Sequence, residues 1–439
     1  MGLDIDSAGR ERMKICTITY HSCPYSSLGG NGSGGMSVYL KEMTAALAGF
    51  PGVKVDILTR AQNAVCAEAK YISPQIRVVQ LKGGPERPLD RKDLYPYILE
   101  FSENCGKYIH QQKECYDIIH SHYWLSGLAG CYIKRKMDIP LVHTYHTLGF
   151  LKMRALGEWE HKQRAASERQ LAWVSDVIIS PSKEEKESLV EEYRILPAKV
   201  KVVSPGVSPR LFFPDNRPLM GKAAGCRKDH FVLLFVGRIE PLKGLNDVIT
   251  ALRIMKEKNP FLLDRTKLLV AGGGQKDEEL AANTEVSRIK RAIVQHGLQN
   301  IVVFLGSVKQ AELRKYYSNA HALVVPSLYE SFGLVTIEAL ACGTPVLVSQ
   351  VDRMKSIVKE GKNGFSFRPN DPVSLWQCLE RFYDHRSRFW SRTAIREDAI
   401  KRFCWENAAE KTVRIFEASI EARGKIRTIS PRGESPLPV

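Results

Sequence analysis

The sequence predicts two doubly wound α/β domains facing a central cleft. Three observations carry this. The chain has 439 residues, too long for one ordinary hydrophobic core and suited to two domains of about 200 residues each. Short apolar runs alternate with amphipathic stretches, the pattern of βαβ units and of a parallel sheet covered on both faces. The alternation stops at residues 205–229 and then restarts.

In the first half, strands are expected at KICTITY (14–20), KVDILT (54–59), IRVVQL (76–81), DIIHS (117–121), PLVHTYH (140–146), DVIIS (176–180) and KVKVVS (199–204). Helix-like segments lie between most of them, at 36–48, 95–112, 160–174 and 183–193. The stretch PGVSPRLFFPDNRPLMGKAAGCRKD (205–229) is rich in Pro, Gly and charge, which marks a domain boundary. The pattern resumes with FVLLFVG (231–237), KLLVAGG (267–273), NIVVFLG (300–306), ALVVPS (322–327) and PVLVS (345–349). The expected division is residues 1–206, residues 207–385, a helical segment over 386–420 packing back toward the first domain, and a disordered tail over 421–439. Ligands of such sheets sit at the carboxyl ends of the strands, and pockets favour domain interfaces.

Composition excludes several classes. No apolar run approaches the roughly 20 residues of a membrane span. The first residues, MGLDIDSAGRERMK, lack the apolar core of a secretory signal. The ten cysteines form no CxxC pair, and several lie in apolar runs, so free thiols in a reducing cytoplasm are expected and a zinc site is not. The net charge is +16, unevenly spread: residues 1–206 hold 27 Lys and Arg against 23 Asp and Glu, and residues 207–439 hold 37 against 25. A basic second half suits an anionic ligand, an anionic membrane surface or nucleic acid, but a solvated basic surface would look the same.

Four features carry chemistry. GGNGSGG (29–35) follows the first strand and opens a helix, where glycines and free N–H groups suit a close-lying anion. It departs from GxGxxG, and a flexible connector would read alike. Gly237-Arg238 and Lys243-Gly244 follow a strand and precede a helix. The two cations could neutralise a diphosphate, Arg238 as a fork and Lys243 as a point charge, or could be solvated loop residues. The segment PSLYESFGLVTIEALACGTPVLVS (326–349) is the most specific: Glu330 falls in a loop, Gly333 and Leu334 open a short helix, and Glu338 lies among apolar residues. A carboxylate there needs a partner or a ligand, and ribose hydroxyls are suitable donors. HSHYW (120–124) and HTYHT (143–147) place histidines at two strand ends. Asp4-Ile5-Asp6 resembles a metal-binding DxD but precedes the first strand, and no HExxH, GxSxG or Walker loop occurs.

On these residues the chain resembles the retaining GT-B glycosyltransferases of the glycogen synthase and sucrose-phosphate synthase type, from about residue 14 to 418. The family's E-x7-E motif is matched by Glu330-Ser331-Phe332-Gly333-Leu334 through Glu338, and its diphosphate-binding pair by Arg238 and Lys243. SGGMSVY (33–39), GPERPLDRKDL (84–94), YDIIHSHYWLSG (116–127), PLVHTYHTL (140–148) and VVSPGV (202–207) are similar to the D-inositol-3-phosphate glycosyltransferase subgroup. Ser37 stands where that subgroup has Asn, and Gly32 where it has an acidic residue.

The resemblance implies a retaining hexosyltransferase using a nucleotide diphosphate sugar, UDP-linked by expectation. Gly34, Gly35, Arg238, Lys243, Glu330, Ser331, Phe332, Gly333, Leu334 and Glu338 would bind the donor. Arg238, Lys243, Glu330 and His146 would serve the chemistry. In the subgroup a basic residue, a Tyr, a Thr and an Arg clamp the acceptor phosphate, and the matching positions are Arg91, Tyr123, Thr147 and Arg164, with Lys92 an alternative to Arg91. The acceptor is therefore expected to be a phosphorylated polyol or sugar. No cofactor and no essential metal is expected. Weak peripheral contact with an anionic membrane and a homodimer are open partner states, and nucleic acid is not expected. A nucleotide-sugar epimerase or hydrolase on the same fold, and a basic nucleic-acid- or membrane-binding protein, are the alternatives.

Overall fold

A computed structural model describes residues 13–25, 34–63, 69–157, 161–215, 226–227, 229–273 and 284–429. The chain divides into two compact units. The first comprises Met1–Phe150, Trp159–Ser204 and Trp405–Val439, and the second Leu151–Glu158 and Pro205–Cys404.

The first unit is built on β1 (Met13–Ile18), β2 (Val53–Arg60), β3 (Lys70–Ser73), β4 (Ile76–Leu81), β5 (Ile118–His122), β6 (Leu141–Thr144), β7 (Val177–Ser180) and β8 (Val200–Val202). They form one sheet in the order β3-β4-β2-β1-β5-β6-β7-β8. All pairings are parallel except the edge pair β3–β4. Strands buried on both faces read as continuous apolar runs, and Ile15 of β1 lies between Val55 and Ile118, all without exposure. The helices are α1 (Gly35–Ala48), α2 (Ile98–His110), α3 (Trp124–Met137), α4 (Gly149–Leu156), α5 (Arg164–Val174) and α6 (Lys183–Tyr193). Ser182 caps α6 by accepting from the Glu185 amide, a Ser-x-x-Glu start legible in the sequence.

The second unit holds β9 (Phe231–Val236), β10 (Thr266–Ala271), β11 (Val302–Gly306), β12 (Ala322–Val325), β13 (Val346–Ser349) and β14 (Gly364–Phe367). Their order is β11-β10-β9-β12-β13-β14, with every pairing parallel. The two-residue period of a strand sorts β9 cleanly. Phe231, Leu233 and Phe235 enter a core beneath α7 (Leu245–Lys258) and the helix Pro372–His385. Val232 and Leu234 enter a second core beneath the helices Gln310–Asn319, Leu334–Ala341 and Arg392–Arg402.

Three expectations are corrected. The helical segment over 386–420 is not one element: Arg392–Arg402 belongs to the second unit, with Ile395 and Ala399 in its core, and only the helix from Trp405 belongs to the first. The break falls where the Phe403 carbonyl accepts from the Val207 amide, which takes that residue out of helical geometry. The segment expected to be irregular from 421 continues the helix Trp405–Ile429 through its last described residue. The strands β3 and β14 were absent from the sequence reading, because KYIS is an exposed edge and GFSF opens on glycine, so neither gives an apolar run. Among the described residues no helix is long and apolar enough to cross a membrane.

Candidate functional site

In the second unit the neighbours β9 and β12 mark the topological switch point, where chain connections diverge to opposite sides of the sheet. Lys243 leaves the loop after β9 and Glu330 the loop after β12. The ammonium lies 2.6 Å from Glu330 Oε2, with both side chains largely covered. Gly244 makes this approach feasible. Its φ is +68°, and a Cβ there would stand 2.1 Å from the Pro326 carbonyl oxygen. The Leu328 amide also donates to the Leu242 carbonyl at 2.9 Å, tying the two loops together. Gly333, with φ +63°, is the N-cap of the helix Leu334–Ala341, and Ser331, Phe332 and Leu334 around it are buried. Arg238 also sits at the end of β9, but its guanidinium pairs with Glu240 at 3.0 Å and is mostly exposed.

Glu338 is buried, and its partners come from a helix that the sequence reading did not include in the site. Tyr317 donates its hydroxyl to Glu338 Oε2 at 2.9 Å, and the Gln310 amide donates to Oε1 at 3.3 Å. Burial and the neighbouring carboxylate push the Tyr317 phenol above its usual range, so it remains a donor.

In the first unit, the four residues of the expected phosphate clamp come together around Tyr123. Arg164 is fully buried and donates to the Tyr123 hydroxyl at 3.3 Å, to the Thr147 carbonyl at 2.6 Å and to Thr147 Oγ1 at 3.0 Å. The guanidinium carbons of Arg164 and Arg91 lie 5.1 and 5.6 Å from the Tyr123 ring centroid. Arg91, rather than Lys92, meets the ring; Lys92 is exposed beside Asp90. The segment carrying Arg91 is fixed from below. Arg60, at the end of β2, donates to the carbonyls of Pro85 and Arg87 at 2.8 and 2.9 Å, and Glu100 accepts from the Gly84 amide at 2.7 Å.

A buried carboxylate completes the cluster. Glu168 accepts from Arg164 Nε at 2.7 Å and from the Gly149 amide and the Tyr193 hydroxyl at 2.9 and 2.5 Å. Both members of the ion pair are wholly buried, so the extra donors are what make it tenable. The Arg-x-x-x-Glu spacing on one helix face was the signal that could have found it.

The histidines form a group at the ends of β5 and β6. His146 Nε2 lies 2.9 Å from His122 Nδ1, and the rings of His120 and His122 are 3.9 Å apart. Burial holds the pKa of His120 and of His143 down to about 3 and those of His122 and His146 well below the usual range, so all four are neutral imidazoles near pH 7. His146 and Tyr123 both have positive φ, 64° and 74°, at strand carboxyl ends. Such backbone costs on the order of 1–3 kcal/mol and is held only where its surroundings demand it. Among the described residues no group of His, Cys, Asp and Glu is placed to share a metal ion. Of the glycine loop, residues 29–33 lie outside the described residues; Gly34 is the N-cap of α1 and Gly35 its first residue. Ser37 is buried one turn on, 2.7 Å from the Ser22 hydroxyl.

Known proteins are similar to this chain along most of its length. Residues 33–211 match the Glycosyltransferase Family 4 model, and residues 217–402 match the model described as Glycosyl transferases group 1. The chain is 34% identical to D-inositol 3-phosphate glycosyltransferase 2 of Catenulispora acidiphila, over 93% of this chain and 95% of that protein. It is 35% identical to the D-inositol 3-phosphate glycosyltransferase of Kribbella flavida, over 94% and 97%. Among solved structures, sucrose-phosphate synthase of Thermosynechococcus elongatus has a TM-score of 0.82 at 27% identity, covering 94% of this chain and all of that one. Anabaena Alr3699/HepE, solved with UDP and glucose, shares the fold with a TM-score of 0.70 at 18% identity, over 93% of this chain and all of that one. With two largely parallel sheets, the E-x7-E segment at the switch point of the second and relatives above 30% identity over more than nine-tenths of the chain, the chain belongs to the GT-B glycosyltransferase family.

Proposed function

We propose that this glycosyltransferase moves a hexosyl group, with retention of anomeric configuration, from a uridine diphosphate sugar to a hydroxyl of a phosphorylated polyol or sugar. The observation that carries the acceptor class is the grouping of Arg91, Tyr123, Thr147 and Arg164 around one phenol ring. Two guanidinium groups, a phenol and a threonine hydroxyl at one spot form a donor set suited to a phosphate dianion. The names of the relatives point the same way, and the UDP found in the Anabaena protein supports the choice of base.

In the chemical step the bond from the anomeric carbon to the leaving diphosphate breaks and a bond to the acceptor oxygen forms on the same face. The acceptor's proton passes to the departing diphosphate. Lys243 and Arg238 meet the charge that builds on the diphosphate, which lowers the barrier because the cations are already in place. Glu338 takes the ribose hydroxyls, with Ser331, Phe332, Gly333 and Leu334 shaping the donor pocket, and the Gly34 and Gly35 amides add donors at the head of α1. Glu330 and neutral His146 orient the donor sugar. Exclusion of water prevents hydrolysis of the donor. The lysine and arginine supply the positive charge, and turnover is expected to survive a chelator.

The test is a thermal-shift panel of UDP-, GDP- and ADP-sugars with and without sugar and inositol phosphates, followed by NMR of the product's anomeric proton. Stabilisation by a UDP-sugar, further stabilisation by a phosphorylated acceptor and an unchanged anomeric configuration are expected. Free nucleotide released equally with and without acceptor would mark a hydrolase, and an inverted product would rule out retention.

A further inference from the structure

The helix Gln310–Asn319 is attached to Glu338 at two points seven residues apart. Seven residues is about two helical turns, so Gln310 and Tyr317 fall on one face and reach the carboxylate together. Each supplies one donor to a different oxygen, Tyr317 to Oε2 and Gln310 to Oε1. The anchor is rigid. Tyr317 has no exposed surface, its ring lies 6.0 Å from that of Phe212, and its carbonyl accepts from Thr344 Oγ1 at 2.6 Å. The carboxylate plane is thereby set from behind by a helix that carries none of the residues expected to touch substrate.

We infer that Tyr317 and Gln310 are positioning residues for Glu338, and that their two-point hold makes the second unit select a ribonucleotide over its 2′-deoxy counterpart. The inference rests on the reading of Glu338 as the partner of the donor ribose. Two hydroxyls on adjacent ribose carbons can meet the two oxygens of a carboxylate only in one relative orientation, as in other bidentate recognition. A carboxylate held in that orientation rewards both hydroxyls and leaves an oxygen poorly satisfied when one is missing. A carboxylate free to rotate could turn to whichever hydroxyl remains, and would pay ordering entropy for the pair. The hold therefore converts a generic acidic contact into a test for a vicinal diol.

The experiment measures the affinity of the full-length protein for uridine diphosphate and for 2′-deoxyuridine diphosphate by calorimetry, together with donor KM and kcat. The wild-type protein should prefer the ribonucleotide by about tenfold or more. Glu338→Gln should abolish the preference. Tyr317→Phe, which keeps the ring and removes only the hydroxyl, should bring the ratio to within about threefold of unity and raise donor KM while kcat at saturation holds. Gln310→Ala, at a half-buried position that leaves the core intact, should lower the ratio in the same direction and decides the matter if Tyr317→Phe fails to fold. A purely structural pair would weaken both ligands equally and leave the ratio alone. A preference lost in Glu338→Gln but intact in Tyr317→Phe and Gln310→Ala sinks the positioning role and leaves the ribose contact standing. A wild-type protein with no preference sinks both.

Discussion

Lys243 and Glu330 lie 87 residues apart in the chain and meet at 2.6 Å, at the carboxyl ends of two adjacent parallel strands. Both side chains of the pair are largely covered, and a cation here is expected to act on the leaving diphosphate. Lys243→Ala should lower kcat by at least about a hundredfold, a loss larger than any accompanying fall in Tm explains. Near-normal turnover would end the leaving-group role.

The same contact predicts a partial rescue. In the proposed donor site, removal of Lys243 would leave the Glu330 carboxylate beside the donor diphosphate with no counter-charge, and like charges at short range repel. Lys243→Ala with Glu330→Gln should bind uridine diphosphate more tightly than Lys243→Ala alone, by calorimetry. Equal or weaker binding would mean that Glu330 and the diphosphate are not neighbours.

Gly244→Ala should destabilise the protein and disturb the donor site together. The added methyl would meet the Pro326 carbonyl in a left-handed backbone that L side chains rarely adopt. A loss of about 1–3 kcal/mol in denaturant unfolding is expected, along with a higher donor KM as the Lys243 loop is pushed from the Glu330 loop. An unchanged KM would show that the contact between the loops does not set the site.

Arg164 and Glu168 test the first unit. Breaking a wholly buried pair by removing one member typically costs about 3–5 kcal/mol, because the other charge is left uncompensated. Arg164→Met should therefore cost stability on that order by urea unfolding. Arg91→Met, at an exposed residue, should leave Tm in place and raise only the acceptor KM. Equal loss of donor and acceptor affinity in Arg91→Met would remove Arg91 from the acceptor.

The buried histidines predict acid lability. His120 and His143 titrate near 3 in the fold against about 6.5 for a free imidazole. Below pH 6.5 the unfolded chain takes up protons that the fold refuses, so stability is complete above that pH and falls as pH drops toward 3. Each such histidine contributes a slope of about 1.4 kcal/mol per pH unit in that window. Melting temperature measured from pH 7 to pH 4 should fall, and His120→Asn should flatten the fall. A flat wild-type profile over that range would contradict neutral burial.

Much of this was legible in the chain. The strands forming the body of each sheet are apolar runs, and burial on both faces makes such runs unavoidable, so twelve of the fourteen strands among the described residues could be read from residue pattern. The two missed strands are short edges. The glutamates of the E-x7-E segment and the cations after β9 stand in contiguous motifs, so they too were readable. Cys404 as the point where the chain returns to the first unit was not, because a helix interrupted by a carbonyl–amide contact with Val207 differs little in composition from a continuous one.

Local sequence thus determined that two largely parallel sheets form, which loops end at their carboxyl edges, and which residue types those loops carry. It could not say which charges meet. Lys243 with Glu330, Arg164 with Thr147 and Tyr123, and Glu338 with Tyr317 and Gln310 are pairings across distant segments. Only the strand order brings those segments together. Partners within one helix, such as Arg164 and Glu168, follow from spacing, but a partner on another element depends on the distance and direction that packing imposes, which no spacing along the chain encodes.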